Sequence, residues 1–146
     1  MRVILFIPIF MLFAGQVAYT QKSDSATIVQ LLKNDYATMG SLDIKSHLAN
    51  ITTGYLLIEN GEIWDISMEI DSIYKKYANR IILRTDSFHI ITLKSTGDMA
   101  YAVWHLKSEF KENSNLRIKE WEESGVFRKE KGQWKIALIH STPSKQ

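Results

Sequence analysis

Apolar residues recur along the chain with two different periods, and the change of period divides it in half. Ile28, Leu31, Leu32, Tyr36 and Met39 fall three and four apart, the spacing of one face of a helix. A helix is therefore expected after the cap candidates Ser23, Asp24 and Ser25, with Gly40 just past its end. Ile44, Leu48 and Ile51 predict a shorter second helix from about Asp43 to Ile51. Tyr55 to Ile58, then Glu59-Asn60-Gly61-Glu62, then Ile63-Trp64 reads as a strand, a tight turn and a second short strand, because Asn-Gly accepts the positive φ values of a two-residue hairpin. Asp65 can cap a third helix through Tyr77, whose buried side would carry Met68, Ile70 or Ile73, Tyr74 and Tyr77.

The second half alternates with the period of strands. Four extended runs, about Arg80 to Lys94, Met99 to Lys111, Leu116 to Glu130 and Gln133 to Thr142, are separated by Thr96-Gly97, by Glu112-Asn113-Ser114-Asn115 and by Lys131-Gly132. Connections this short make neighbouring strands antiparallel. Helices followed by a meander predict an α+β fold, with the helices gathered on one face of the antiparallel sheet.

Turn positions set the register, and the register decides which side chains meet. Two-residue loops at Thr96-Gly97 and Lys131-Gly132 and a four-residue middle turn place His89 opposite Trp104, Trp104 opposite Glu123, and Glu123 opposite His140. That row would share an inner face with Ile91, Leu93, Ala100, Ala102, Leu106, Trp121, Gly125, Phe127, Trp134, Ile136 and Leu138. The outer face would pair His105 with Glu122 and Lys107 with Glu120, beside Tyr101, Val103, Val126, Ala137 and Ile139. Such a mixed surface suits burial between two copies of the chain.

Glu123 is the unusual residue, a carboxylate aimed into an apolar layer beside Trp104 and Trp121. Unpaired there, it would be costly to ionise. Directly opposed residues have Cβ atoms about 4.5 to 5.5 Å apart, so His140 is its expected partner. Such a dyad could carry general acid-base catalysis, with Glu123 and His140 as the catalytic candidates, or could simply satisfy itself. A metal held by His89, Glu123 and His140 is rejected, because the two histidines would lie about 14 Å apart on a flat sheet whereas metal ligands sit about 2 Å from the ion. His47 is expected to be a solvated helix residue. Tyr55, Trp64, His89, Trp104 and Trp121 are the candidate ligand-binding residues, since Tyr and Trp combine apolar area with a polar handle. Small Ala100, Ala102 and Gly125 leave space beside the tryptophans that something must fill.

Composition narrows the classes of function. The 146 residues carry 18 Lys plus Arg against 16 Asp plus Glu, a net charge of +2, which gives no basic field to recruit nucleic acid. There is no Cys, so neither disulfides nor thiolate metal sites are available. Met1-Arg2, the apolar run from Val3 to Ala14 and the small residues before Gln21 read as a secretory signal over residues 1–20, followed by one domain over residues 21–146. Pro8 interrupts a run already shorter than the roughly 20 apolar residues of a membrane span, so no stable anchor is expected after cleavage. The destination would be the periplasm or the cell exterior.

The stretch Glu123-Ser124-Gly125-Val126-Phe127-Arg128-Lys129-Glu130-Lys131-Gly132-Gln133-Trp134-Lys135-Ile136, ending in His140-Ser141, resembles the C-terminal hairpin of SnoaL-like proteins of the nuclear transport factor 2-like superfamily. Gly61-Glu62-Ile63-Trp64-Asp65 before a helix is similar to the middle of the same proteins. The resemblance implies a cone-shaped fold, a cavity between the concave sheet and the helices, and homodimerisation through the sheet. It places His140 at the pocket end of the last strand. Activity is not implied, since isomerases, cyclases, ligand-binding modules and oligomerisation domains share this architecture. An exported domain that binds a small hydrophobic or aromatic ligand without a cofactor is the first expectation. A cofactor-free isomerase, cyclase or lyase using Glu123 and His140 is the second, and a dimerisation module with a filled core the third.

Overall fold

The computed structural model describes residues 13–144, and side chains from Asp24 onward. Residues 1–12 of the expected signal lie outside the described residues. The order of elements is α1 (Phe13–Ser41), α2 (Ile44–Asn50), β1 (Ile51–Glu59), β2 (Glu62–Trp64), α3 (Ile66–Glu69) continued by a π-helical segment (Ile70–Lys75), then β3 (Leu83–Thr96), β4 (Met99–Glu112), β5 (Asn115–Glu130) and β6 (Gln133–Pro143). The six strands form one sheet in the order β2-β1-β6-β5-β4-β3. The α+β architecture is the expected one, and its helices pack on one face of the sheet.

α1 runs through Ser23, Asp24 and Ser25, so none of them caps it, and Gly40 lies inside it. Asp24 instead accepts hydrogen bonds from Trp134 Nε1 at 3.0 Å and Lys129 Nζ at 3.2 Å, tying the helix to the β5-β6 hairpin. Ile28, Leu32 and Tyr36 of the helical stripe are buried against the sheet. Asp43 caps α2 by accepting from Ser46 N, and Asp65 caps α3 by accepting from Met68 N. The turn residues Asn60-Gly61 and Lys131-Gly132 all have positive φ, as tight hairpins with two-residue loops require. β1 is longer than the expected run, and it docks parallel to β6, pairing Leu57 with Ile139 and Glu59 with Ser141.

Two bulges change which side chains face the helices. The β3-β4 turn is Gly97-Asp98 rather than Thr96-Gly97, a change of two in the pairing that leaves the faces unaltered. The irregularity between Ile90 and Thr92 then changes the pairing by one and reverses the faces beyond it. Ile90 is therefore opposite Trp104, His89 is opposite His105 on the outer surface, and Ile91 is exposed. β5 and β6 begin in the expected register at Glu130 and Gln133, but the irregularity between Val126 and Phe127 sets Ser141 opposite Glu123 and His140 opposite Ser124. His140 is thus exposed, and Ile139 is buried in the inner layer in place of Leu138. The β4-β5 pairing holds throughout, with Trp104 opposite Glu123.

The space beside Gly125 is filled by the Trp104 ring: a methyl group on Gly125 would meet Trp104 Cη2 at 3.0 Å. Glycine is needed there for close approach, and Trp104, 0% exposed, is core. On the outer face His105 Nδ1 and Glu122 Oε1 are 2.9 Å apart, as the register predicts. Lys107 departs from it and pairs along its own strand with Glu109.

Candidate functional site

A cavity of about 720 Å³ opens between the inner face of the sheet, the last turns of α1 and the π-helical segment. It is the size of a small-molecule site. Alternation along the strands builds its walls. β5 turns Arg117, Lys119, Trp121 and Glu123 to the cavity, β1 contributes Tyr55, Leu57 and Glu59, and β6 contributes Ile139 and Ser141. Tyr36 enters from α1 and Trp64 from β2.

Of the residues predicted from sequence, Tyr55, Trp64, Trp121 and Glu123 line this cavity. Trp104 lies one layer behind, touching the site through its indole N–H. His89 and His140 do not reach it, because the two bulges turn both outward. The expected dyad of Glu123 with His140 is therefore not formed. Glu123 is held instead by Tyr36 Oη and Trp104 Nε1, each donating to Oε2 at 2.7 Å. Burial pushes its carboxyl above the ordinary range, against the opposing effect of hydrogen bonds from Tyr36, Ser141 and Trp104. Burial also raises Glu59, against a hydrogen bond from the same Ser141. The row across the sheet is thus Ile90, Trp104, Glu123, Ser141, Glu59, with a hydroxyl between two carboxyl groups. Tyr36 is kept protonated by burial and by the neighbouring Glu123, so it remains a donor.

The pH dependence of stability follows from the direction of the Glu123 shift. A carboxyl whose folded-state pKa is raised contributes stability below its unfolded pKa and loses that contribution as pH rises through the folded value. E123Q keeps an acceptor oxygen for Tyr36 and Trp104 but cannot ionise. It is expected to lose less stability than the parent between about pH 4 and pH 8. Thermal melts of both proteins across that range measure the difference, and parallel curves would contradict a buried, hard-to-ionise Glu123.

A second cluster adjoins the cavity through Glu69, which lines it, and sequence reasoning missed it. His47 is 0% exposed, its Nδ1 2.9 Å from Asp35 Oδ1 and its Nε2 3.5 Å from Glu69 Oε2, so the expected solvated histidine is wrong. Asn50 Nδ2 also donates to Asp35 Oδ1 at 3.1 Å. Burial disfavours the imidazolium, but hydrogen bonding and charge from Asp35 and Glu69 outweigh it and push the His47 pKa up to about 10. The π-helical segment explains Glu69. Its i→i+5 hydrogen bonding lets Glu69 and Tyr74, five residues apart, both be buried, and the Tyr74 ring lies 5.4 Å from that of His47. In an α-helix five residues span about 500°, which puts such a pair on different faces. Met68, expected inside, is exposed. One signal was readable: Asp35 falls three residues after Leu32 and four before Met39, an acid on the apolar stripe of α1.

No family model matches the chain, and no curated protein does. Solved structures do. A ketosteroid isomerase-like protein from Erwinia carotovora superposes with a TM-score of 0.65 at 15% identity, covering 83% of this chain and 96% of its own. A protein from Cytophaga hutchinsonii described as NTF2-like gives 0.66 at 13%, covering 82% and 98%. The CaMKII hub of S. rosetta gives 0.68 at 13%, covering 82% and 95%.

Proposed function

We propose, for a chain that has the nuclear transport factor 2-like fold, that it binds a small, largely apolar or aromatic molecule in the cavity between sheet and helices. The observation that carries this reading is the 720 Å³ cavity walled by Tyr55, Trp64 and Trp121, with the buried carboxyl of Glu123 on its side. Aromatic walls supply contact area, while one carboxyl and the Tyr36 hydroxyl orient the ligand. Titration of the protein with a panel of hydrophobic metabolites, followed by tryptophan fluorescence, tests it. Saturable changes that weaken in W121A are expected, and a flat response across the panel would contradict the reading.

The raised Glu123 carboxyl favours a second reading, cofactor-free proton transfer on the bound molecule. Tyr36 and Ser141 take the supporting place first expected of His140. Loss of turnover in a folded E123Q variant supports it, and unchanged turnover removes Glu123 from the chemistry. We also propose a homodimer through the outer sheet face, where Tyr101 is 51% exposed beside the half-buried Val103 and Val126. Export rests on the pattern of residues 1–20. A mature protein beginning at Gln21 in a periplasmic or extracellular fraction is the expected result.

A further inference from the structure

The cavity reading can be taken further, to the class of molecule bound. Three rows cross the inner face from β3 to β5 toward the mouth: Arg84, Phe110, Arg117; Asp86, Ser108, Lys119; Phe88, Leu106, Trp121. Most charges there are answered. Arg84 Nε donates to both carboxylate oxygens of Asp86 at 2.9 and 3.0 Å, and Arg80 holds both oxygens of Glu112. Asp71 pairs with Lys75 at 2.6 Å. Arg117 and Lys119 are different. Among the described residues no carboxylate is within ion-pair distance of either: Glu112 feels the charge of Arg117 and Glu59 that of Lys119 only at longer range, and the Arg117 guanidinium lies 6.0 Å from the Phe110 ring. Among the described residues β6 ends at Pro143, opposite Trp121, and Ser144 N still donates to Glu120 O. The two cations stand about 7 Å apart along β5, directly before the flat wall of Trp121.

Beyond Trp121 the cavity holds the carboxyl groups of Glu123 and Glu59, which burial makes hard to ionise, so a ligand carboxylate is disfavoured there for the same reason. A molecule that complements the whole cavity carries its charge at one end.

We propose that the cavity takes a flat, apolar compound bearing a single carboxylate, which Arg117 and Lys119 hold at the mouth while the ring lies against Trp121. Charge-assisted hydrogen bonds from a guanidinium and an ammonium are stronger than those a neutral group accepts. The inference rests on the cavity being a ligand site, and matched probes separate the two. Isothermal titration calorimetry of the purified protein at low salt compares 2-naphthoate with its neutral counterpart 2-naphthamide. The expected result is binding of both, with naphthoate about tenfold tighter, and a preference that shrinks in high salt. An R117A/K119A double variant is expected to bind the amide as before and to lose the preference. Equal affinities in the parent, or a preference that survives in the double variant, would overturn the carboxylate subsite while leaving the cavity reading intact. Failure of both probes to bind would overturn both.

Discussion

H47L is expected to cost about 3 to 5 kcal/mol of stability near neutral pH, because it leaves Asp35 and Glu69 as buried carboxylates with no cation between them. The cluster has little reserve to absorb the loss: Asp35 Oδ2 has no hydrogen-bond partner among the described residues, and Glu69 comes no nearer than 3.5 Å to His47 Nε2. The pH dependence gives the test a second dimension. The pKa of His47 is raised to about 10, so the stabilisation from its charge is fully present below its unfolded value near 6.5 and is lost as pH rises through about 10. The deficit of H47L should therefore shrink as pH rises through about 10. Urea unfolding of both proteins at acid, neutral and alkaline pH measures this. A loss below about 1 kcal/mol at every pH would mean that the triad holds nothing together.

W104A is expected to be comparably severe, about 3 to 5 kcal/mol, the usual range for emptying the space of a buried tryptophan. Trp104 is fully buried, its ring closes on Gly125, and its N–H serves Glu123. W104F separates these roles. It keeps much of the ring volume but deletes the donor, so its cost should fall to about 1 to 3 kcal/mol for the weakened hydrogen bonding of Glu123. Equal losses in the two variants, read from denaturant midpoints, would assign the residue's importance to the hydrogen bond rather than to packing.

Much of the scaffold was legible because it depends on local chemistry. Asn60-Gly61 and Lys131-Gly132 declare their turns, Asp65 its cap, and period-two alternation the strands of the meander. The β4-β5 register could be counted inward from the hairpin because nothing interrupts it, which put Trp104 and Glu123 together correctly. The β3-β4 count was two residues out from the turn and lost the faces beyond the irregularity at Ile90, and the β5-β6 count failed beyond Phe127 in β5. Neither bulge is marked by glycine or proline at the extra residue, Ile91 or Ala137, and a single extra residue exchanges the faces of a strand. His89 and His140 were lost to the site by that mechanism, and Ser141 and Ile139 gained. The Asp35-His47-Glu69 cluster was hidden for a different reason. Its members come from three elements, and the π-helical turn lets Glu69 share a buried side with Tyr74 against the α-helical period. The parallel docking of β1 on β6, which brings Glu59 to Ser141, is likewise a tertiary pairing that no local pattern announces.

The cavity as a ligand site is tested most directly by crystals of the protein soaked in 4-bromophenol, a neutral aromatic compound whose bromine is located by anomalous scattering. A bromine peak inside the cavity, with the ring against Trp121 and the hydroxyl toward Glu123 and Tyr36, is the predicted result. Bromine confined to the outer surface, or an interior closed by side chains where the 720 Å³ space should be, would contradict it.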